Sequence, residues 1–189
     1  MPNPAHKFLG QLHESGQLHR VITQNIDSLH QAGGVPNEKV IELHGNMRGL
    51  VCSDHFTPLN PLPFRDGTCK YRCPYEEAQR SKFFASDPVP TCPNCNAPLR
   101  TETVMFGQPM PAEELQAARD AVAEADLLLV VGSTLIVEPA NMLPGIALLQ
   151  DTPVAMINFD NTKYDIYCHA LVRQPAGKFL ERVSQCIYG

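Results

Sequence analysis

The sequence predicts an α/β fold, a doubly wound parallel sheet into which a smaller, cysteine-bearing lobe is inserted. Three observations carry this. Apolar runs of strand length at residues 19–23, 125–132 and 153–159 alternate with stretches of helical spacing, the order that builds parallel sheets. Between residue 45 and about residue 103 that periodicity disappears while prolines and cysteines crowd in. Polar residues able to do chemistry stand where the apolar runs stop, at the carboxyl ends of the expected strands.

The elements follow in order. Asn3 before Pro4 is a helix start, an N-cap with proline at the first helical position, and Phe8, Leu9 and Leu12 with Leu18 supply an apolar face up to the break at Gly16. Residues 19–23 carry Val-Ile-Thr and read as a short buried strand ending at Gln24; residues 26–32 read as a helical turn stopped by Gly33-Gly34. Residues 60–66 and 86–91 read as loops of the inserted lobe. Residues 111–124 are helical, with Leu115, Ala118 and Val122 on one face, and 125–132 form a continuous apolar run of the buried parallel-strand kind. Then come a helix at 139–149, a strand at 153–159, a short strand at 170–173 and a closing helix at 177–187. The expected domains are therefore 1–44 with 104–189, and the lobe at 45–103.

A chain of 189 residues can bury one core and a small lobe. Its apolar runs are too short to span a bilayer, and its opening residues lack the basic and apolar regions of a signal peptide. A net charge of −5 argues against a nucleic-acid surface, which needs a basic excess on one face. Seven cysteines without a secretory signal favour metal ligation over a disulfide framework, so a soluble protein of a reducing, intracellular compartment is expected.

Three segments are expected at the carboxyl edge of the sheet: Gln24-Asn25-Ile26-Asp27, Gly132-Ser133-Thr134 and Asn158-Phe159-Asp160. Small and hydroxyl residues let the backbone approach a ligand, Asn amides serve sugar hydroxyls, and an Asp orients a water or an amide. The competing explanation is that these are ordinary turn and cap residues. His44, between Leu43 and Gly45, has the chemistry of a general base, although a lone histidine is commonly structural. His6, His13, His19, His30 and His169 lack such a context and read as solvated or packed residues. Cys92-Pro93-Asn94-Cys95 has the form of a zinc knuckle, two thiolates from one tight turn taking adjacent tetrahedral positions. Cys52 is a third ligand; Cys69, Cys73 and His55 compete for the fourth place. Cys168 and Cys186 read as small apolar residues.

With these residues in hand, the chain resembles the sirtuins, the NAD-dependent protein lysine deacylases. The resemblance rests on Thr23-Gln24-Asn25-Ile26-Asp27-Ser28-Leu29-His30, Leu43-His44-Gly45-Asn46, the Cys92 to Cys95 knuckle, Val104-Met105-Phe106-Gly107, and Gly132-Ser133-Thr134-Leu135-Ile136-Val137-Glu138-Pro139-Ala140, with Ile157-Asn158 and Pro175-Ala176-Gly177 behind them. It implies a Rossmann-like domain plus a zinc-ribbon lobe, with NAD and an acyl-lysine peptide as substrates. The residue matching His44 acts as base toward the nicotinamide ribose, the acyl oxygen attacks the ribose C1′, nicotinamide leaves, and the acyl group ends on ADP-ribose. Residues matching Asn25 and Asp27 line the nicotinamide pocket, and one matching Gln24 contacts ribose. Those matching Gly132, Ser133, Thr134, Asn158 and Ala176 hold the remainder of the dinucleotide. The substrate backbone lies against Val104, Phe106, Gly107 and Val137 as an added strand. For zinc, the family pattern implies Cys52, Cys73, Cys92 and Cys95, since Cys73-Pro74-Tyr75 resembles its second ligand.

In the family a strand, a Gly-Ala-Gly phosphate loop and a Pro-Asp-Phe-Arg segment precede the Asn-Pro helix, and these 189 residues contain none of them. The resemblance therefore implies a sheet shortened at its N-terminus, weakened NAD binding and an uncovered strand edge. The second expectation from this reading is a catalytically impaired zinc-containing module that binds protein partners.

Overall fold

The computed structural model describes residues 1–53, 69–76, 90–105 and 107–189. The loop expected at 60–66 and most of that expected at 86–91 lie outside the described residues, as do His55 and Phe106. The chain divides into two compact units. One comprises Met1–Ile22, Leu29–Ile41 and Glu113–Gly189; the other comprises Thr23–Ser28 and Glu42–Ala112.

In the first unit, α1 (Pro4–Glu14) starts as expected: the Asn3 side chain accepts hydrogen bonds from Ala5 N at 2.9 Å and His6 N at 3.2 Å. Here His6 fills the place usually held by Glu or Gln in a capping box, its Nδ1 accepting from Asn3 N at 3.2 Å. Strand β1 (Val21–Thr23) pairs with β2 (Val40–Glu42), and between them lies the short α2 (Leu29–Ala32), ended by Gly33. A Cβ on Gly10 would sit 2.3 Å from the Gly33 carbonyl oxygen, so α1 and the turn after α2 meet backbone to backbone.

The parallel sheet contains β6 (Leu128–Val131), β7 (Val154–Ile157) and β8 (Ala170–Val172), in that spatial order. Its register places Val131 beside Ile157 and Ile157 beside Val172, so the three strands end level. Helices α1 and α5 (Ala176–Tyr188) pack together: Phe8, Ile157 and Leu180 are buried with Leu12, Leu129, Val131, Val172 and Phe179 around them. Alternation along the strands sends Val130, Val154 and Met156 to the opposite face, where α4 (Leu143–Leu149) contacts β6 and β7. Val154 and Met156 are almost completely buried, each worth about 1.5–3 kcal/mol relative to exposure. Helices on both faces of a parallel sheet make the unit doubly wound, the class the sequence predicts. Helix α3 (Ala112–Ala123) buries Ala118, Ala121 and Val122, an i, i+3, i+4 stripe.

The second unit is built on an antiparallel sheet of order β4 (Arg72–Pro74), β3 (Gly45–Cys52), β5 (Leu99–Thr103). Its core is Leu50, Cys73, Cys92 and Leu99. None of these strands was expected from the sequence. The pairing of β3 with β5 shifts register between Gly45 and Leu50, and burial along β3 does not alternate, so no period-two pattern is written into residues 45–52. Residues 23–28, 42–44 and 104–112 also group with this unit. The reason lies in the backbone: Leu43 N donates to Thr23 O at 3.0 Å and Val104 N to His44 O at 2.9 Å. No helix among the described residues is long and apolar enough to cross a membrane.

Candidate functional site

In the second unit the segment 23–28 lies alongside 43–48. Leu43 N donates to Thr23 O at 3.0 Å, the Nδ1 atom of His44 lies 3.0 Å from Gln24 O, and Met47 N donates to Ile26 O at 3.3 Å. A carbonyl oxygen can only accept, so the contact at Gln24 assigns the proton of neutral His44 to Nδ1 and leaves a lone pair on Nε2. A partly buried imidazole in that tautomer has the chemistry of a general base. Asn25 and Asp27, which alternate with the tied residues Gln24 and Ile26, are exposed. Asn25 N caps back onto Thr23 Oγ1 at 3.1 Å, so the chain turns sharply just past β1.

Two neighbours hold the histidine backbone. Gly45 has φ of +71°, and a Cβ there would lie 1.9 Å from Glu102 O, which makes glycine obligatory beside His44. On the other side Val104 N takes the His44 carbonyl, and a turn follows in which Met105 N donates to Gln108 Oε1 at 2.9 Å. Gly107 in that turn has φ of +83° and open space where a side chain would be. Phe106 lies outside the described residues.

Sequence reasoning assigned no role to Glu42, Asn46, Arg48 and Ser28, which form one network. Arg48 donates from Nη1 to Glu42 Oε1 and from Nη2 to Oε2, both at 2.8 Å, and from Nη1 to Ser28 Oγ at 2.7 Å. Asn46 Nδ2 donates to Glu42 Oε2 at 2.8 Å. An arginine in a stretch without strand alternation reads as ordinary surface charge; the one available signal was Glu42 directly preceding Leu43-His44.

In the first unit, Gly132-Ser133-Thr134 and Asn158-Phe159-Asp160 both leave the level carboxyl ends of adjacent parallel strands, as the sequence predicts. Gly132 N donates to Ile157 O at 2.9 Å and Asn158 N to Val172 O at 3.1 Å, which sets the two segments side by side. The third segment expected there, 24–27, belongs to the other unit. Gly132 has φ of +61° and no atom within 4 Å of the place a Cβ would take, so its backbone is open to close approach. Ser133 Oγ accepts from Leu135 N at 3.2 Å, and Thr134 is exposed. Asn158 is buried, its Nδ2 donating to Asp160 O at 2.9 Å. Ala176 begins α5. Val137 is half exposed, and its carbonyl accepts from Asn141 N at 3.1 Å.

Arg173 follows β8 as Asn158 follows β7. Its guanidinium reaches Asp160 O at 2.5 Å, Asn161 Oδ1 at 3.0 Å and the Asp165 carboxylate, so it spans the loop after Asn158. Partial burial pushes the Asp165 carboxyl up, but the Thr162 hydroxyl and amide and the Arg173 cation outweigh it, and the net shift is downward.

The cysteines require a correction. The sulfur atoms of Cys52, Cys69, Cys92 and Cys95 all lie within 4.8 Å of one another; Cys73 is not in this group. Cys73 stands opposite Leu50 in the β3–β4 pair and is buried in the apolar core of the unit. Cys52 N instead donates to Tyr71 O at 3.1 Å, which brings the segment starting at Cys69 alongside Cys52. The Cys52–Cys95 and Cys69–Cys92 sulfur separations are 3.3 and 3.5 Å. A tetrahedral zinc with four thiolates at its usual bond length spaces sulfurs by about 3.8 Å; these two separations fall just below that and none of the quartet exceeds 4.8 Å, so the four residues fit zinc. Burial pushes the Cys92 thiol up, but the amides of Asn94 and Cys95 outweigh it and lower it, while its partner Cys69 is raised. Cys69 and Cys73 are four residues apart in a proline-rich stretch, and spacing alone gave no means of choosing between them.

Fold and quartet together define an α/β protein with a lobe whose four clustered cysteines fit a structural zinc. A family model described as the Sir2 family matches residues 1–139. The chain is 34% identical over 188 residues to NAD-dependent protein deacetylase 1 of Pyrobaculum aerophilum, covering 100% of this chain and 66% of that protein. It is 35% identical over 182 residues to an NAD-dependent protein deacylase of Pyrococcus abyssi, covering 96% of this chain and 66% of that one. A solved complex described as Sir2-p53 peptide-NAD+ superimposes with a TM-score of 0.81 at 34% identity, over 97% of this chain and 69% of the other. A structure of Sir2Tm bound to a propionylated peptide gives a TM-score of 0.81 at 34% identity, over 97% and 70%. The chain belongs to the Sir2 family, and it spans about two thirds of the length of the curated relatives it matches.

Proposed function

We propose that this chain carries the machinery of an NAD-dependent protein lysine deacylase, which moves the acyl group of an acyl-lysine onto ADP-ribose and releases nicotinamide. The observation that carries the reading is the tautomer of His44: with Nδ1 donating to Gln24 O, Nε2 is the atom that accepts a proton from a ribose hydroxyl. Support comes from relatives named NAD-dependent protein deacetylase or deacylase, and from solved neighbours described with NAD+ and with acetylated or propionylated peptides.

NAD, when bound, supplies a ribose carbon made electrophilic by its bond to nicotinamide. The protein's part is binding, orientation and proton transfer. Asn25 and Asp27 present an amide and a carboxylate to the nicotinamide carboxamide, and Gln24 serves the ribose. Gly132, Ser133 and Thr134 offer open backbone and hydroxyls to the phosphates and ribose, with Asn158 and Ala176 on the adenosine side. The fit is supported by the open Gly132 backbone at the end of a parallel strand. In the second unit the segment carrying Val104 and Gly107 offers backbone to an extended acyl-lysine peptide, and Val137 of the first unit is a separate candidate contact. Zinc held by the four thiolates stiffens the lobe at 45–103, while the nucleotide belongs to 1–44 and 104–189. Free thiols in such number suit a reducing, intracellular setting, and an acidic chain suits protein substrates better than nucleic acid.

The test is mass spectrometry of the zinc-loaded protein incubated with NAD and acetyl-lysine or succinyl-lysine peptides. Deacylated peptide together with acylated ADP-ribose supports the reading. A folded, zinc-containing protein that forms neither overturns it and leaves a zinc-containing binding module.

A further inference from the structure

The alignment of 23–28 with 43–48 ends at Arg48. Leu43 N, His44 Nδ1 and Met47 N all meet carbonyl oxygens of the 23–28 segment, whereas the bond from Arg48 Nη1 to Ser28 Oγ at 2.7 Å joins two side chains. Ser28 has φ of +57°, a left-handed conformation unfavourable for a residue with a Cβ, so the exit of the segment depends on being held. Arg48 is suited to holding it because its own direction is fixed. Both Glu42 oxygens accept its fork at 2.8 Å, Glu42 is itself kept in place by Asn46, and Asn46 Oδ1 accepts from Arg48 N at 2.9 Å. The Glu42 side chain is only 13% exposed, so the pair is shielded enough for geometry to matter.

We propose that Arg48 is a positioning residue of the nicotinamide site: it clasps Ser28 and so fixes the directions in which Asn25 and Asp27 are presented beside His44. Upstream, the segment is fastened through Thr23 and Gln24; at its exit the clasp on the strained Ser28 acts beside the 3.3 Å bond from Met47 N to Ile26 O. This role rests on the deacylase reading for its catalytic meaning, although the clasp itself is independent of it. Lysine at 48 cannot replace the function in full, because a single ammonium does not bridge two carboxylate oxygens and a hydroxyl in one plane.

The experiment compares wild type with Arg48→Met, Arg48→Lys, Ser28→Ala and the Arg48→Met/Ser28→Ala pair by amide hydrogen exchange and by steady-state kinetics. Arg48→Met is expected to speed exchange across residues 24–28 by about tenfold while residues 50–52 and 99–103 keep their protection. KM for NAD is expected to rise about tenfold with KM for the peptide within about twofold. Arg48→Lys should fall between wild type and Arg48→Met, and the double variant should be no worse than Arg48→Met alone, since both changes break one contact. Unchanged exchange at 24–28, an equal rise throughout the second unit, or equal changes in both KM values would overturn the proposal. If wild type itself turns nothing over, the deacylase reading falls, and exchange alone still decides whether Arg48 is the clasp.

Discussion

The imidazole of His44 is tied through Nδ1 to the carbonyl oxygen of Gln24 at 3.0 Å, twenty residues earlier in the chain. This one contact joins the residue with base chemistry to the segment that carries Asn25 and Asp27, so the two are oriented together. Replacing His44 by Ala removes the proton acceptor without removing buried apolar volume. The expected outcome is a loss of nicotinamide release of about 10²–10⁴-fold with a stability loss of only about 1 kcal/mol from the broken hydrogen bond, measured by product formation and by urea titration. Retained turnover would show that another group accepts the proton.

Gly45 makes a different kind of demand. Ala at this position meets Glu102 O at 1.9 Å and must hold φ near +71°, so strand β3 has to move away from β5 at its first residue. Gly45→Ala is expected to cost about 1–3 kcal/mol in equilibrium unfolding, from strain and overpacking together. An unchanged midpoint would mean that β5 yields freely there.

Metal content separates the two cysteines four residues apart. Cys69→Ser should lose most of the bound zinc, because a hydroxyl is a poor substitute for one of four thiolates. Cys73→Ser should keep the metal and lose stability by about 1–3 kcal/mol, because it buries a hydroxyl in an apolar core. Zinc stoichiometry by mass spectrometry, read beside a denaturation curve for each variant, checks both; the reverse pattern would restore Cys73 as the ligand.

The acid limb of stability has an identifiable contributor in Asp165. Its folded pKa is lowered from 3.8, so its contribution is fully present above that value and is lost as the pH falls through the folded pKa. The stability difference between wild type and Asp165→Asn is therefore expected to be constant above about pH 5 and to shrink below about pH 4. Chemical denaturation as a function of pH checks this, and a difference that grows on acidification would contradict it. Because Arg173 also bonds the loop after Asn158, loosening of residues 158–162 should accompany the change.

How much was legible from sequence depended on whether the signal was local. Asn3-Pro4 started a helix because a cap acts within one turn. Residues 128–131 formed a parallel strand within the apolar run expected to hold one, since such strands are buried on both faces. The turn at Cys92 to Cys95, closed by Asn96 N donating to Cys92 O at 2.8 Å, likewise needs no distant partner. By contrast, β3 stayed hidden because its register shift erases the alternation by which a strand is recognised.

By itself, then, the sequence determined the parallel strands β6, β7 and β8 with their flanking helices, the Leu43-His44-Gly45 motif, the polar turns after β6 and β7, and three of the four clustered thiolates. These are consequences of capping, period and turn chemistry, which act over a few residues. Only the tertiary structure decided that Cys69 joins the quartet while Cys73 enters the core, and that His44 carries its proton on Nδ1. It likewise decided that Arg48 holds Ser28. Each of those outcomes is set by which distant backbone or side-chain atom comes within hydrogen-bonding or ligand distance, and that is fixed by strand register and packing between segments far apart in the chain.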